Sequence, residues 1–329
     1  MTHVKEKWAF SVKDFVLKYG LYIMFILLIV VFTISRPHFL QPGNINNILL
    51  HASAWSVAVA GLVFVMLTGG IDISTGSNMY FTAYICVMLT TLNIVPDTIP
   101  GIVVLIFLSM IIGGLLGSVN GFFVALVKVP PLIVTLATLG LFRGVAFMIN
   151  NVTTATFNNN VSEYLGRGRL FGFFPVIILI MIITIFIGQY VLKYTKFGRQ
   201  LYAIGNNEHS ARQIGIPVDR IKFLVYVICG ATAGLSGLLI GAQTNAVVAN
   251  FAAEHHFIII SCAVLGGVSL FGGRGTIFPG AFVGILIAVC IENGLVFLGA
   301  DPYFYTIVRG LIIFLAVMMD CVRNKNELR

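Results

Sequence analysis

YGLYIMFILLIVVFTI at residues 19–34 and VIILIMIITIFI at 176–187 carry no charge and show no alternation of apolar with polar residues. Strands of a transmembrane barrel alternate over about 10 residues, so both runs read as helix. A spanning helix needs roughly 20 apolar residues, and similar runs recur along the chain. Dividing the sequence at charges, prolines and Asn/Gly clusters gives apolar segments at 19–34, 48–67, 77–92, 102–127 and 132–148. A second series lies at 173–192, 223–239, 257–265, 277–291 and 303–319. The expected fold is all-α, a polytopic membrane protein with about ten transmembrane helices. The eighth segment is short and the second runs into Gly69-Gly70, so broken or re-entrant pieces fit where protein buries them.

Composition agrees. Of 329 residues 58% are hydrophobic and 10% charged, whereas soluble domains carry about 25% charged residues. The polar surface for a sizeable soluble domain is missing, and residues 1–329 read as a single transmembrane domain. Lys5, Lys7, Lys13 and Lys18 precede the first run in the manner of a signal peptide. That run is followed by Ser35-Arg36-Pro37-His38 rather than a small-residue cleavage site, which predicts a retained span.

The net charge of +8 reflects orientation in the membrane, because the basic residues sit in short segments between apolar runs and form no nucleic-acid surface. With the N-terminal segment 1–18 inside, ten spans place 69–76, 128–131, 193–222, 266–276 and the tail 320–329 on the cytoplasmic side. Those segments hold 15 Lys and Arg, against Arg36, Arg167 and Arg169 opposite. Both termini are expected in the cytoplasm.

No enzyme constellation is present in the sequence. It contains no H-E-x-x-H, no G-x-S-x-G and no Gly-Lys pair, so it has no phosphate-binding loop. Five scattered cysteines lack C-x-x-C spacing, and adjacent His255 and His256 point about 100° apart on a helix and read as a polar loop end near Glu254. Neither a catalytic residue, a metal site nor a cofactor in this chain is expected.

Ionisable groups within a membrane face protein or water. Asp72, after two glycines, reads either as a turn carboxylate shaping a pathway or as a solvated loop residue. Arg143 reads as a partner in ion pairing or snorkelling, or as a substrate contact, and Glu292 and Arg309 belong to the same class. Asn78, Phe81, Asn120 and Asn293 are the pathway candidates, since amides bond hydroxyls and an aromatic ring stacks on a sugar face; helix-helix bonding is the alternative for the amides. Small-residue spacing at Gly230-x3-Gly234-x2-Gly237 and Gly280-x3-Gly284 predicts close helix packing.

The stretch 193–222 carries six basic groups. Within it Asn206 or Asn207 can cap a short helix over 208–214, Gly215 can close it, and Pro217 with Asp219 can open the next span. An internal echo also appears: Gly69-Gly70-Ile71-Asp72-Ile73-Ser74 against Gly266-Gly267-Val268-Ser269-Leu270-Phe271, each ahead of a new apolar segment, as in transporters with duplicated halves.

These residues resemble those of permease subunits of bacterial ABC importers for monosaccharides, the ribose permease family. The resemblance runs through Gly69 to Ser77, Asn120-Gly121, Val129-Pro130-Pro131-Leu132-Ile133-Val134-Thr135, Phe142-Arg143-Gly144, Phe197-Gly198-Arg199, Tyr202-Ala203-Ile204-Gly205-x-Asn207 with Ala211-Arg212-x-x-Gly215-Ile216, and the Gly266 motif. It implies two paired permease chains, identical or different, in the bacterial inner membrane, moving solute by alternating access. It also implies an ATP-binding subunit that uses ATP below, and an extracytoplasmic sugar-binding protein above. Gly205, Asn207, Glu208, Ala211, Arg212 and Gly215 would then form the contact that transmits ATPase movement. Where such permeases often carry a Gly-Tyr-Glu-Leu-like run, this chain reads Ala252-Ala253-Glu254-His255-His256-Phe257, which leaves the particular solute open. The other reading is an ion-coupled secondary transporter, which would want buried acidic or histidine relays.

Overall fold

A helix apolar on every face belongs in the middle of a bundle, and α2 (Pro42–Leu67) is buried without interruption from Ala52 to Leu67. The computed structural model describes residues 12–301 apart from 97, 151 and 158, together with scattered positions between 304 and 321. The chain enters through α1 (Val12–Ser35) and a short 3-10 turn before α2. Gly69 then takes φ +74° and Gly70 N–H bonds back to Val65 O at 3.2 Å, ending α2 as a left-handed cap. Residues 68–74 follow without helical structure.

Next come α3 (Thr75–Thr91), α4 (Ile99–Gly121, extended by a π turn to Leu126) and α5 (Pro131–Asn150). Beyond the single turn α6 (Asn159–Val161), a two-residue antiparallel ladder pairs Arg169–Leu170 with Phe174–Pro175. The second half comprises α7 (Val176–Tyr194), α8 (Lys196–Asn206), α9 (Glu208–Gln213), α10 (Val218–Thr244), α11 (His255–Leu265) and α12 (Phe282–Phe297), the last led in by a π turn from Ile277.

The all-α membrane class holds, but the count of ten spans needs correction. Among the described residues six helices are long and apolar enough to cross a membrane: Pro42–Leu67, Ile99–Leu126, Pro131–Ile149, Val176–Tyr194, Val218–Thr244 and Ile277–Phe297. The expected segment 257–265 falls on α11, whose 11 residues reach only about 16 Å. Segment 77–92 falls on α3, 17 residues long. Neither is extended by the chain before it, because residues 68–74 and 245–254 are not helical. Segment 19–34 lies in α1, whose apolar described part is Tyr19–Ser35. Segment 303–319 is described only in part, and Arg309, residues 1–11 and residues 322–329 lie outside the described residues.

The tightest seam joins α4 and α10. A Cβ on Gly230 would sit 2.3 Å from Gly113 O, one on Gly113 would sit 2.3 Å from Gly230 O, and one on Gly117 would sit 2.2 Å from Tyr226 O. The helices touch backbone to backbone through Gly113-x3-Gly117 and Gly230-x3-Gly234, the close approach that small residues permit in lipid.

Candidate functional site

Three separate parts of the chain converge at the foot of α2. Thr195 caps α8 by accepting from Gly198 N–H at 3.2 Å, and α8 buries Gly198, Leu201 and Ile204. At its end a Cβ on Gly205 would lie 1.9 Å from Leu67 O and 2.2 Å from Gly273 N. Gly273 N–H donates to that same Leu67 O at 3.0 Å, and Tyr202 Oη donates to Gly275 O at 2.8 Å. The end of α8 is therefore seated on both glycine turns of the sequence echo.

Those turns share a construction. Each helix before them ends in a left-handed glycine, Gly69 at φ +74° and Gly267 at φ +83°. Each turn is then closed by a side chain: Asp72 Oδ1 accepts from Ser74 N–H at 2.9 Å, and Ser269 Oγ accepts from Phe271 N–H at 3.2 Å. Asp72 and Ser269 align in the register of the echo, while the left-handed glycines are offset by one residue.

Beyond α8, Asn207 rather than Asn206 caps α9, its Oδ1 accepting from Ser210 N–H at 2.9 Å. The helix ends at Gln213, one residue earlier than expected. Gly215 stands at φ +81°, and Ile216 N–H bonds to Ala211 O at 3.1 Å, closing the end. Ala211 is buried. Arg212 donates to Glu208 at 2.9 Å and to Asp219 at 2.5 Å, Lys222 pairs with Glu208, and Lys128 pairs with Asp219. Five charges thus clamp α9 to the first turn of α10 and to the loop before α5. Burial pushes the Glu208 carboxyl up, but hydrogen bonds from Lys222 and Arg212 outweigh it and hold it below the usual carboxylate range. Asp219 and Glu208 together raise the Arg212 guanidinium.

A second polar group lies inside the bundle. Ser74 Oγ donates to Asp72 Oδ1 at 2.6 Å, Asn120 Nδ2 to Ser74 Oγ at 2.7 Å, and Thr138 Oγ1 to Asn120 Oδ1 at 2.7 Å. All four residues are buried, so Asp72 is a turn carboxylate linking the start of α3 to α4 and α5, and its solvated alternative is set aside. Asn78 Nδ2 donates to Gly113 O at 3.1 Å and Gly230 O at 3.3 Å, across the α4–α10 seam. Arg143 donates to Ala249 O at 3.2 Å and Phe251 O at 3.0 Å and lies 5.1 Å from the centre of the Tyr80 ring. Asn293 exchanges two hydrogen bonds with Asn44, at 2.9 and 3.0 Å. Phe81 is half-buried against the core.

Asp72 and Asn120 therefore meet, whereas Asn78, Arg143 and Asn293 serve separate contacts. Ser74, Thr138 and Asn44 were not among the candidate site residues, although Ser74 stood in the glycine echo; the polar residue two places after an Asp in a glycine turn was the available signal for its role. His256 is not a loop end: it is buried in the first turn of α11.

A model of the family described as branched-chain amino acid transport system / permease component matches residues 44–317. The chain belongs to this family. The ribose import permease protein of Bacillus subtilis (strain 168) is similar to it at 34% identity over 305 residues, 92% of each chain. The ribose import permease protein of Escherichia coli (strain K12) is 34% identical over 308 residues, again 92% of each. The L-arabinose ABC transporter permease protein of Azospirillum brasilense is 30% identical over 309 residues, 94% of this chain and 88% of the relative. No solved structure matches the chain.

As a member of this permease family the chain is a transport protein and belongs to no enzyme family; ATP use falls to a separate nucleotide-binding subunit.

Proposed function

We propose that this permease is the membrane half of an ATP-driven importer that carries a monosaccharide into the cytoplasm by alternating access, its two access states being shifted by ATP binding and hydrolysis on the partner. The observation that supports this best is the α8–α9 unit. A six-residue helix is marginal alone in water, yet α9 is capped at both ends and tied by ion pairs to α10, whose Asp219 also pairs with Lys128 ahead of α5, as a surface that receives force should be. In this reading α9 docks in a groove of the ATP-binding subunit, with Gly205, Asn207, Glu208, Ala211, Arg212 and Gly215 carrying the contact. The names of the ribose and L-arabinose relatives support a sugar as cargo.

The assembly comprises two permease chains, the ATP-binding subunit and an extracytoplasmic sugar-binding protein, in the bacterial inner membrane with both termini of the permease inside. The amides of Asn78, Asn120 and Asn293 are engaged by protein partners; they frame the pathway, and Phe81 offers it ring surface.

Proteoliposomes holding the permease with its ATP-binding partner should take up D-ribose or L-arabinose when loaded sugar-binding protein and internal ATP are supplied. The permease alone should hydrolyse no ATP. Uptake of neither sugar by an intact assembly sinks the cargo assignment. For topology, single cysteines placed near Lys5 and Lys325 should stay unlabelled by an impermeant reagent in intact cells, and labelling of either refutes the cytoplasmic termini.

A further inference from the structure

Buried polar atoms almost always find a hydrogen-bond partner, and each exception costs stability that some role must justify. Two such exceptions flank one contact inside the bundle: Thr75 Oγ1 and His256 Nδ1 are buried without a partner, in residues 1% and 6% exposed. Thr75 opens α3, a 17-residue helix, and the first N–H groups of a helix have no acceptor within it. A Cβ on Gly76, the next residue, would lie 3.3 Å from His256 Nδ1 and 2.5 Å from Ala252 O, so the imidazole nitrogen is aimed at the first turn of α3. The contact is deep in the bundle: Asn78, one turn further on, bonds Gly230 O, about 12 residues or roughly 18 Å along α10. Tyr80 and Phe251 stand beside it with ring centres 6.5 Å apart, and Arg143 holds the covering segment by the carbonyls of Ala249 and Phe251.

We propose that Thr75, His256 and the N-terminal turn of α3 form a subsite that binds hydroxyl groups of an uncharged, polyhydroxylated solute during translocation, when the segment 245–254 withdraws from Gly76. The chemistry selects this class. A hydroxyl donates to His256 Nδ1, with the imidazole proton on Nε2, and accepts from the helix N–H groups or from Thr75. A carboxylate has no proton for Nδ1 or Ala252 O, and the guanidinium that would balance it is engaged by two carbonyls. The assignment rests on the sugar-importer reading and adds the place where the permease itself touches the cargo.

Thr75→Val and His256→Leu remove the orphaned atoms, and the test uses the complete importer in proteoliposomes at saturating loaded sugar-binding protein. The probes are D-ribose, L-arabinose, their mono-deoxy analogues and L-leucine. Each variant should unfold in detergent at the wild-type temperature or higher, yet take up the parent sugar at least tenfold more slowly. For one deoxy position, differing between the variants, variant and wild type should carry the analogue at equal rates. A variant that unfolds several degrees lower shows that the group is structural and overturns the proposal. Wild-type uptake in both variants, or equal fold-losses across parent and all analogues, overturns it as well while leaving the importer reading intact. Wild-type uptake of leucine and of neither sugar overturns the reading and the subsite together.

Discussion

Gly230→Val is expected to leave little folded permease. The added Cβ would meet Gly113 O at 2.3 Å and Gly117 Cα at 2.7 Å, and neither atom belongs to a side chain that can rotate away. The neighbouring contacts are equally close, with a Cβ on Gly234 falling 2.4 Å from Ser109 O, so α4 and α10 must separate along the whole seam. Separation also breaks the two bonds from Asn78 to Gly113 O and Gly230 O, stranding a buried amide. Ordinary overpacking costs about 1–3 kcal/mol and an orphaned buried polar group about 1–3 kcal/mol. Together these come to about 2–6 kcal/mol, and the backbone clash along the whole seam exceeds ordinary overpacking, so the loss is large against a total stability of about 5–15 kcal/mol. Gly140→Val and Gly144→Val, on α5 with nothing within 4 Å of the added atom, are the controls and should purify like the wild type. The measurement is the yield and thermal unfolding of detergent-purified protein. Equal yields and midpoints for Gly230→Val and Gly140→Val would show that the α4–α10 seam is looser than described.

The half of this seam on α10 was visible in the sequence, because Gly230 and Gly234 recur at helical spacing. Its other half, Gly113 and Gly117, uses the same spacing, but which helix faces which is a tertiary fact that periodicity does not carry. Local chemistry read well for the same reason. The caps of α9 at Asn207 and Gly215 depend only on residues within one turn, and the short-range signals of capping suffice to place them. The span count read poorly because hydropathy reports solubility in lipid rather than backbone conformation. The apolar segments expected at 77–92 and 257–265 fall on helices of only 17 and 11 residues, and residues 68–74 and 245–254 ahead of them run without helix, as broken pieces can where protein surrounds them. The polar residues divided likewise. Asp72 was flagged by its charge, but its link through Ser74 and Asn120 to Thr138 joins positions up to 66 apart in sequence, and no spacing rule connects them. His256 looked like a loop residue because its neighbours are polar; its burial comes from α3, far away in the chain.

Gly205→Val should abolish coupled transport, and it should do so more completely than Gly215→Val, although both glycines lie in the same α8–α9 unit. The two positions are constrained differently. Gly215 stands at φ +81° with nothing within 4 Å of an added Cβ, so valine there meets only the left-handed backbone penalty of roughly 1–2 kcal/mol. Part of that cost can be relieved by local unwinding after α9, and Gly215→Asn should be nearly silent because asparagine tolerates this conformation. Gly205 has no such escape. Its Cβ would overlap Leu67 O at 1.9 Å and Gly273 N at 2.2 Å, the two atoms whose own hydrogen bond joins the turn after α2 to the turn after α11. Valine must either lift α8 from its seat or force those turns apart, and both outcomes cut the route from α9 through α8 to α2 and the turn after α11. The clamp on the far side of α9, through Arg212, Asp219 and Lys128, would survive, so the variant should insert and still bind the ATP-binding subunit. In proteoliposomes at saturating loaded sugar-binding protein, Gly205→Val should show uptake near background and ATP hydrolysis no longer stimulated by the loaded protein. Gly215→Val should retain a measurable fraction of both, with the two falling in proportion. Full stimulation in Gly205→Val would mean that force reaches the bundle by a route other than the seat of α8 on the two glycine turns.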